Sequence, residues 1–203
     1  MTRIAMLPAV AVFLAACKPD VPPMPYTPPP VGTVYDYGGQ TNTITRVDGW
    51  RTTYRDNLGR TGSRLGLFIT EDPRRPFTDD NGALGDLWPL RLGQQSVVTV
   101  KRDSEVYRWD FDVTDTATIT VPAGTFSTFV VQGVERPTLV REPRTAVTVS
   151  NRWWVARPNN AVVRFVSTYV TGPAAGRQVV GELKAIRTAN AADSTSRSDS
   201  AKR

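Results

Sequence analysis

The chain has 203 residues and a formal net charge of +6, and it contains no histidine and a single cysteine. These absences exclude Ser-His-Asp and Cys-His catalytic machinery, histidine-ligated zinc and an intramolecular disulfide. We therefore expect a protein without enzymatic activity and without a cofactor.

A short apolar segment opens the chain and ends at its only cysteine. Arg3 precedes an apolar run, Ile4 to Leu14, and an Ala-Ala pair then leads into Cys17, an order typical of a secretory signal. The run is interrupted by Pro8 and is too short to span a bilayer, which takes roughly 20 residues. The arrangement resembles the lipobox of bacterial lipoproteins. That resemblance implies a signal peptide over residues 1–16 and an acylated Cys17 that anchors the protein to a membrane.

Two further expectations follow from this resemblance. Lys18 stands where an aspartate would favour retention at the inner membrane, so we expect a periplasm-facing protein of the cell envelope, at the outer membrane rather than the inner one. An ordinary cleaved signal with an incidental cysteine is the alternative. In this compartment we expect no nucleic-acid partner.

Arginine carries most of the positive charge, with 21 Arg against 4 Lys. The arginines are spread along the chain without a block of five or six, a pattern that favours scattered, solvated charges. A basic surface for anionic lipid head groups or cell-wall polymers is the alternative.

Both ends of the remaining chain differ in composition from its middle. Prolines occupy half of the fourteen positions from Lys18 to Val31, which predicts an extended tether over residues 17–31 that reaches roughly 40 Å from the membrane. Residues 188–203 have no large apolar side chain and are predicted to be disordered. One domain remains between them, over residues 32–187.

Period-two alternation dominates this domain. Residues 105–113 place Tyr107, Trp109, Phe111 and Val113 on one face and charged side chains on the other. Residues 145–155, 161–170 and 177–187 alternate in the same way. Such patterns are typical of antiparallel strands with one buried face.

Turn signals separate these runs at intervals of about ten residues, among them Asp48-Gly49 and Pro122-Ala123-Gly124. The spacing predicts an all-β meander of nine to eleven strands, curved into a half-barrel or barrel. The stretch from Glu71 to Leu92 is rich in Pro, Asp and Gly and is predicted to be a long loop or lid.

A family resemblance rests on the second half of the domain. Leu87-Trp88-Pro89-Leu90, the PAGTF run at 122–126 and the NRWWV run at 151–155 together resemble bacterial envelope proteins of unknown function. The resemblance implies a curved half-barrel with a concave apolar surface, and it implies a fold rather than an activity.

Aromatic residues give the main candidate for a binding site. Trp153 and Trp154 are adjacent, so in a strand they point to opposite faces. One interpretation is an apolar groove for an acyl chain or hydrophobic peptide, rimmed by arginines that meet an anionic head group. Ordinary core packing is the other. The candidate groove residues are Trp88, Trp109, Trp153, Trp154, Tyr169, Arg108 and Arg152.

Two acidic groups are weaker candidates. The run Asp79-Asp80-Asn81-Gly82, with Asp86, has oxygen ligands of the kind that calcium prefers, but it lacks the EF-hand register, so an ordinary turn is favoured and we expect no metal site. Asp110 and Asp112 share a strand face and could serve a glycan hydrolase. An ordinary solvated strand face is the simpler interpretation.

Three functions remain open at this point. The preferred one is a lipid-anchored binding or scaffolding module of the envelope. A carrier or acceptor for a lipid or lipoprotein is the alternative, and a carboxylate-dependent glycan hydrolase is the third.

Overall fold

Thirteen β-strands and one short 3₁₀ helix form the computed structural model, which describes residues 21–79, 82–140 and 146–188. The strands are β1 (Val34–Asp36), β2 (Thr41–Asp48), β3 (Arg51–Asp56), β4 (Thr61–Leu65), β5 (Ile69–Glu71), β6 (Thr78–Asp79), β7 (Gln95–Arg102), β8 (Glu105–Val121), β9 (Gly124–Leu139), β10 (Val149–Ala156), β11 (Val162–Tyr169), β12 (Gln178–Glu182) and β13 (Ala185–Arg187). The 3₁₀ helix is Gly85–Leu87.

The strands form two antiparallel sheets. Sheet A has the order β13-β1-β2-β3-β4-β5, and sheet B has the order β12-β11-β10-β9-β8-β7-β6. Neighbours in space are almost everywhere neighbours in sequence, so the predicted all-β meander is confirmed. The predicted number of nine to eleven strands is wrong, because β5, β6 and β13 have only two or three residues each and such short strands leave no alternation to recognise.

The last strands join the two sheets. Leu183 N donates a hydrogen bond to Val163 O of sheet B at 2.9 Å, and the next amide, Lys184 N, donates to Asp36 O of sheet A at 2.7 Å. The run predicted as one strand at 177–187 therefore passes from sheet B to sheet A at Leu183, which is fully buried. Nearby, the hydroxyl of Tyr37 donates to Val162 O at 2.9 Å. The two sheets are thus tied together along this edge.

The longest hairpin curves sheet B. β8 and β9 have 17 and 16 residues, and their pairing shifts register between Val113 and Asp115. A bulge of this kind bends the strand and increases its twist. The predicted inward face of β8 is confirmed, since Trp109, Phe111 and Val113 are all buried. The curvature turns this face toward sheet A, which gives the half-barrel its concave side.

The stretch from Glu71 to Leu92 is largely a loop with one short helical turn, Gly85–Leu87, as the prediction of a long loop had it. Its apolar side chains are buried in the core, however, so the alternative of a lid is wrong. Phe77, Leu84, Leu87 and Leu90 are buried and belong to the main hydrophobic cluster. Prolines and glycines in this stretch suppressed the periodic signal, although its apolar side chains are numerous. The segment therefore contributes side chains to the core between the sheets.

The proline-rich residues pack on the domain from Val21 onward. Met24 is 3% exposed and pairs with Leu90 through two backbone hydrogen bonds of 3.0 and 2.9 Å. Tyr26 packs against Trp50, with ring centroids 4.7 Å apart. We expected an extended tether over residues 17–31, and the structure instead places its second half against the core. Cys17, the signal peptide and residues 189–203 lie outside the described residues.

Candidate binding site

A cleft of about 350 Å³ lies between the two sheets. Sheet A contributes Tyr54 and Arg64 to its wall, and the β4–β5 turn contributes Leu67 and Phe68. Thr70 of β5 and, from the β1–β2 connection, Tyr37 and Gln40 also line it on the side of sheet A, and residues of β8 to β11 form the wall on the side of sheet B. These are Trp109, Glu135, Val149, Asn151, Trp153, Val162, Phe165, Ser167 and Tyr169.

Stacked and tilted aromatic rings form one side of the cleft. The ring centroids of Phe68 and Trp153 are 4.9 Å apart, and those of Trp109 and Trp153 are 6.3 Å apart. Trp109 in turn stacks on Phe111 at 5.6 Å. Such pairs add about 0.5–1.5 kcal/mol each beyond the area they bury, so this wall is held in place before any ligand arrives.

A glycine in β9 seats the central tryptophan. A Cβ atom at Gly133 would lie 2.6 Å from the Trp153 ring and 3.0 Å from the Phe111 ring, distances that real Cβ atoms do not reach. The indole of Trp153 therefore lies directly on the backbone of β9. The indole N–H of Trp109 is buried and, among the described residues, has no hydrogen-bond acceptor.

Two residues of opposite charge face the cleft from opposite sheets. The guanidinium of Arg64, in β4, lies over the Tyr54 ring at 5.2 Å from its centroid. Glu135 lies in β9, where it pairs with Trp109 of β8 and Val149 of β10. Within residues 21–79, 82–140 and 146–188, neither side chain forms an ion pair. The cleft therefore presents one cation and one carboxyl group whose charges are not neutralised within the site.

Burial raises the pKa of Glu135 from its ordinary value of 4.5 to about 7, and the charge of Arg102 only partly opposes this change. Arg102 is itself occupied, because it donates to Glu105 at 3.0 Å and to the Tyr107 hydroxyl at 3.2 Å. The carboxyl group is thus close to half ionised at neutral pH. It can accept a hydrogen bond from a cation or donate one when protonated.

A second cavity, of about 420 Å³, shares Glu135, Val149 and Tyr169 with the cleft. Its wall includes the apolar side chains of Pro137, Val140, Ala146 and Val147, together with Arg75, Glu105 and Tyr107. The two cavities therefore meet at Glu135. Together they form one groove, which is aromatic on one side of Glu135 and lined by both aliphatic and charged side chains on the other.

The structure brings three of the predicted groove residues together. Trp109, Trp153 and Tyr169 all line the cleft. Trp88 lies outside it, buried in the core between Tyr26 and Phe68.

The other three predicted groove residues lie on the outer face of sheet B. Arg152 and Trp154 line a separate, shallow depression of about 250 Å³ there. Arg108 is exposed on the same face and is paired with Asp110. Trp153 and Trp154 do point to opposite faces, as strand geometry requires.

Glu135 and Arg64 were not among the predicted site residues. For Glu135 a signal existed, because period two puts it on the same face of β9 as Phe129 and Val131, which are fully buried. A glutamate is an unusual residue on a strand face that is otherwise apolar. For Arg64 the short strand β4, with five residues, offered no comparable pattern.

The two acidic candidates have structural partners. Asp79 Oδ2 accepts a hydrogen bond from Leu84 N at 3.2 Å, whereas Asp80 and Asn81 lie outside the described residues. The part of the chain that the structure describes contains no cluster of three or more residues able to hold a metal ion. Asp110 forms ion pairs with both Arg108 and Arg136 on the exposed face, which fits a solvated strand face.

Comparisons with known proteins find similarity only among solved structures. No family model matches the chain, and no curated protein matches it. Among solved structures it is similar to the hypothetical lipoprotein YmcC from Escherichia coli, with 13% identity, a TM-score of 0.45 and coverage of 74% of this chain and 81% of that one.

Two further solved structures are similar to about the same degree. A Bacteroides fragilis protein with a YmcC-like fold has 13% identity and a TM-score of 0.45, and the match covers 81% of this chain and all of that one. A candidate lipoprotein from Parabacteroides distasonis has 14% identity and a TM-score of 0.40, with coverage of 82% and 100%. TM-scores of this size do not establish a common fold. Within the described ranges, no helix is long and apolar enough to cross a membrane.

Proposed function

We propose that this protein is a lipid-anchored binding module of the bacterial cell envelope, and that the cleft between its sheets holds an amphipathic ligand. The observation that carries the proposal is the cleft itself. It joins preformed aromatic rings to two charged groups that have no ion-pair partner among the described residues. Ligand sites typically combine an apolar wall with a few convergent polar groups.

The groove favours an elongated ligand. Its two cavities meet at Glu135, so one molecule can contact both. A carrier function is the neighbouring alternative. It would require the ligand to leave for a second membrane, whereas a binding module retains it.

Anchoring is tested at Cys17. We expect Cys17→Ser to abolish incorporation of radiolabelled palmitate and to move the protein from the membrane fraction to the soluble fraction. Serine has no thiol, so the thioether that carries the acyl chains cannot form. Labelling of the full chain in the producing bacterium, followed by fractionation, measures both. Acyl label retained in Cys17→Ser would contradict the anchor.

Cleft binding is tested by filling the cleft. Ser167 and Thr168 are adjacent in β11, and Ser167 lines the cleft whereas Thr168 lines the depression on the outer face. We expect Ser167→Trp to weaken binding of dodecylphosphocholine at least about tenfold, because the indole occupies the ligand's space. Thr168→Trp is the matched control and should bind like the unmodified chain.

Binding is measured by isothermal titration calorimetry below the micelle concentration, and circular dichroism checks that both variants fold. Equal affinity of Ser167→Trp and Thr168→Trp would place binding elsewhere and contradict the proposal. Transfer of the probe from donor to acceptor vesicles at a rate that depends on protein concentration would favour the carrier.

A further inference from the structure

The two charged groups of the cleft differ from the other ionisable residues around them. Arg75, Arg102 and Glu105 form a connected set of ion pairs at the far end of the groove. Arg108 and Arg136 share Asp110 on the outer face. Within the ranges that the structure describes, Arg64 and Glu135 have no ion-pair partner, although both are half-buried. Among the described residues, Arg64 contacts only the neutral side chains of Tyr37 and Tyr54, and Glu135 feels only the charge of Arg102, so a ligand in the cleft can supply the opposite charge to each group.

The two groups sit on opposite walls. Arg64 belongs to sheet A and Glu135 to sheet B, and aromatic side chains line the cleft between them. A ligand that bridges the walls therefore meets a guanidinium at one end and a carboxyl group at the other. A ligand with a single charge would satisfy one of them and leave the other desolvated and unpaired, which costs free energy.

The aromatic rings add a preference for the cationic end. Trp109 and Tyr169 line the cleft together with Glu135, and faces of Trp and Tyr attract ammonium groups. A carboxylate beside aromatic rings is a common way to hold an ammonium ion. At the opposite end, the planar fork of a guanidinium suits a phosphate or carboxylate.

We propose that the cleft recognises a zwitterionic amphiphile of the phospholipid type, whose ammonium lies at Glu135 and whose anionic group lies at Arg64. The aliphatic side chains of the second cavity, Pro137, Val140 and Val147, then contact the hydrocarbon chain, beside the paired charges of Arg75 and Glu105. This inference rests on the proposed binding function and adds the chemical class of the ligand.

Three probes with the same twelve-carbon chain test it, all used below their micelle concentrations. Dodecylphosphocholine carries both charges, dodecyl phosphate only the anion and dodecyltrimethylammonium only the cation. We expect the full chain carrying Cys17→Ser, which has no acyl anchor to compete, to bind the zwitterion at least about tenfold more tightly than either other probe. Free phosphocholine, which lacks the chain, should bind at least about tenfold more weakly than dodecylphosphocholine.

Charge variants assign the two ends. Arg64→Gln should lower the affinity for the zwitterion about tenfold, so that the zwitterion no longer binds more tightly than the cation, and Arg64→Lys should restore part of that affinity. Glu135→Gln should also lower the affinity for the zwitterion about tenfold, so that the zwitterion no longer binds more tightly than the anion. Arg152→Gln removes an arginine from the outer face and is the matched control, expected to change none of the affinities.

Different outcomes would contradict the zwitterionic ligand class and the binding of a ligand in the cleft. Equal affinities for the three probes, all lost in Ser167→Trp, would overturn the zwitterion and leave cleft binding standing. Tight binding of free phosphocholine, as strong as that of the lipid, would overturn the lipid as the source. A head-group preference unchanged by both charge variants would overturn the assignment of Arg64 and Glu135.

Discussion

Glu135→Gln is expected to stabilise the protein by about 3 kcal/mol at pH 8 and to leave its free energy of unfolding almost unchanged at pH 4. The size follows from the difference between a pKa of about 7 in the folded protein and the ordinary value of 4.5. Between these values the folded protein binds a proton that the unfolded chain has released. Stability contributed by this group is therefore present below pH 4.5 and is lost as the pH rises through 7.

Urea denaturation of both proteins at several pH values measures the effect. The titratable and charged groups near Glu135 are Tyr107, Tyr169, Arg75, Arg102 and Glu105. Tyr107 does not interfere, because burial raises its pKa above the ordinary value of 10. Glu182→Gln, on the edge strand β12, is the matched control and should leave the pH profile of the parent intact. A Glu135→Gln profile that runs parallel to that of the parent from pH 4 to pH 8 would contradict the prediction.

A carboxyl group that lowers stability at neutral pH suggests a role outside folding. Glutamine or an apolar residue at position 135 would fit the same strand and avoid the desolvation. Proteins commonly keep such strained ionisable groups where they bind ligands. An ammonium ion bound beside Glu135 would stabilise the carboxylate and lower its pKa, so the cost in the empty cleft would be recovered on binding.

Glu71→Ala is expected to destabilise the protein by about 3–5 kcal/mol, because it removes one partner of a buried charge network. The Glu71 side chain is fully buried, and its Oε1 accepts from Arg51 Nε at 2.5 Å and from Ser63 Oγ at 2.7 Å. Its Oε2 accepts from Phe77 N at 2.7 Å. Loss of the carboxylate leaves the Ser63 hydroxyl, the Phe77 amide and Arg51 Nε without this acceptor, while Arg51 Nη2 still donates to Phe77 O at 2.7 Å.

Chemical denaturation measures this loss, and Glu182→Ala is the matched control. The Glu182–Arg164 pair is 3.6 Å long and more than a third exposed on both sides, so its removal should cost no more than about 1 kcal/mol. Hydrogen exchange should also rise in Phe77 to Leu90, because Glu71 holds the first residue of that segment. A Glu71→Ala protein as stable as Glu182→Ala would show that the network contributes nothing.

Strand alternation made most of the fold predictable. The inward face of β8 and the opposite orientation of Trp153 and Trp154 both follow from a period of two. The hairpin between β2 and β3 was also expected, although its two-residue loop is Gly49-Trp50, one position later than the Asp48-Gly49 signal. Local chemistry was sufficient in these places because neighbouring strands are also neighbours in sequence.

The remaining features depend on contacts between distant parts of the chain. Met24 pairs with Leu90, and Arg51 pairs with Glu71, yet no local pattern connects the members of either pair. The same holds for the cleft, where Arg64 of sheet A faces a wall built by sheet B. Predicting it requires the packing of the two sheets, whereas aromatic content alone could only suggest that a groove existed. That is why the predicted groove mixed residues of two opposite faces.

The pairing of Met24 with Leu90 bears on how the domain would sit at a bilayer. Three residues, Lys18 to Asp20, separate the lipidation position from the first described residue, Val21, and the four steps from Cys17 to Val21 span at most roughly 14 Å. An acylated Cys17 would therefore hold the domain within about one lipid-leaflet thickness of the head groups, with the side that carries Met24 and Trp88 turned toward them. The short linker after the anchor would then restrict the orientation of the domain relative to the bilayer.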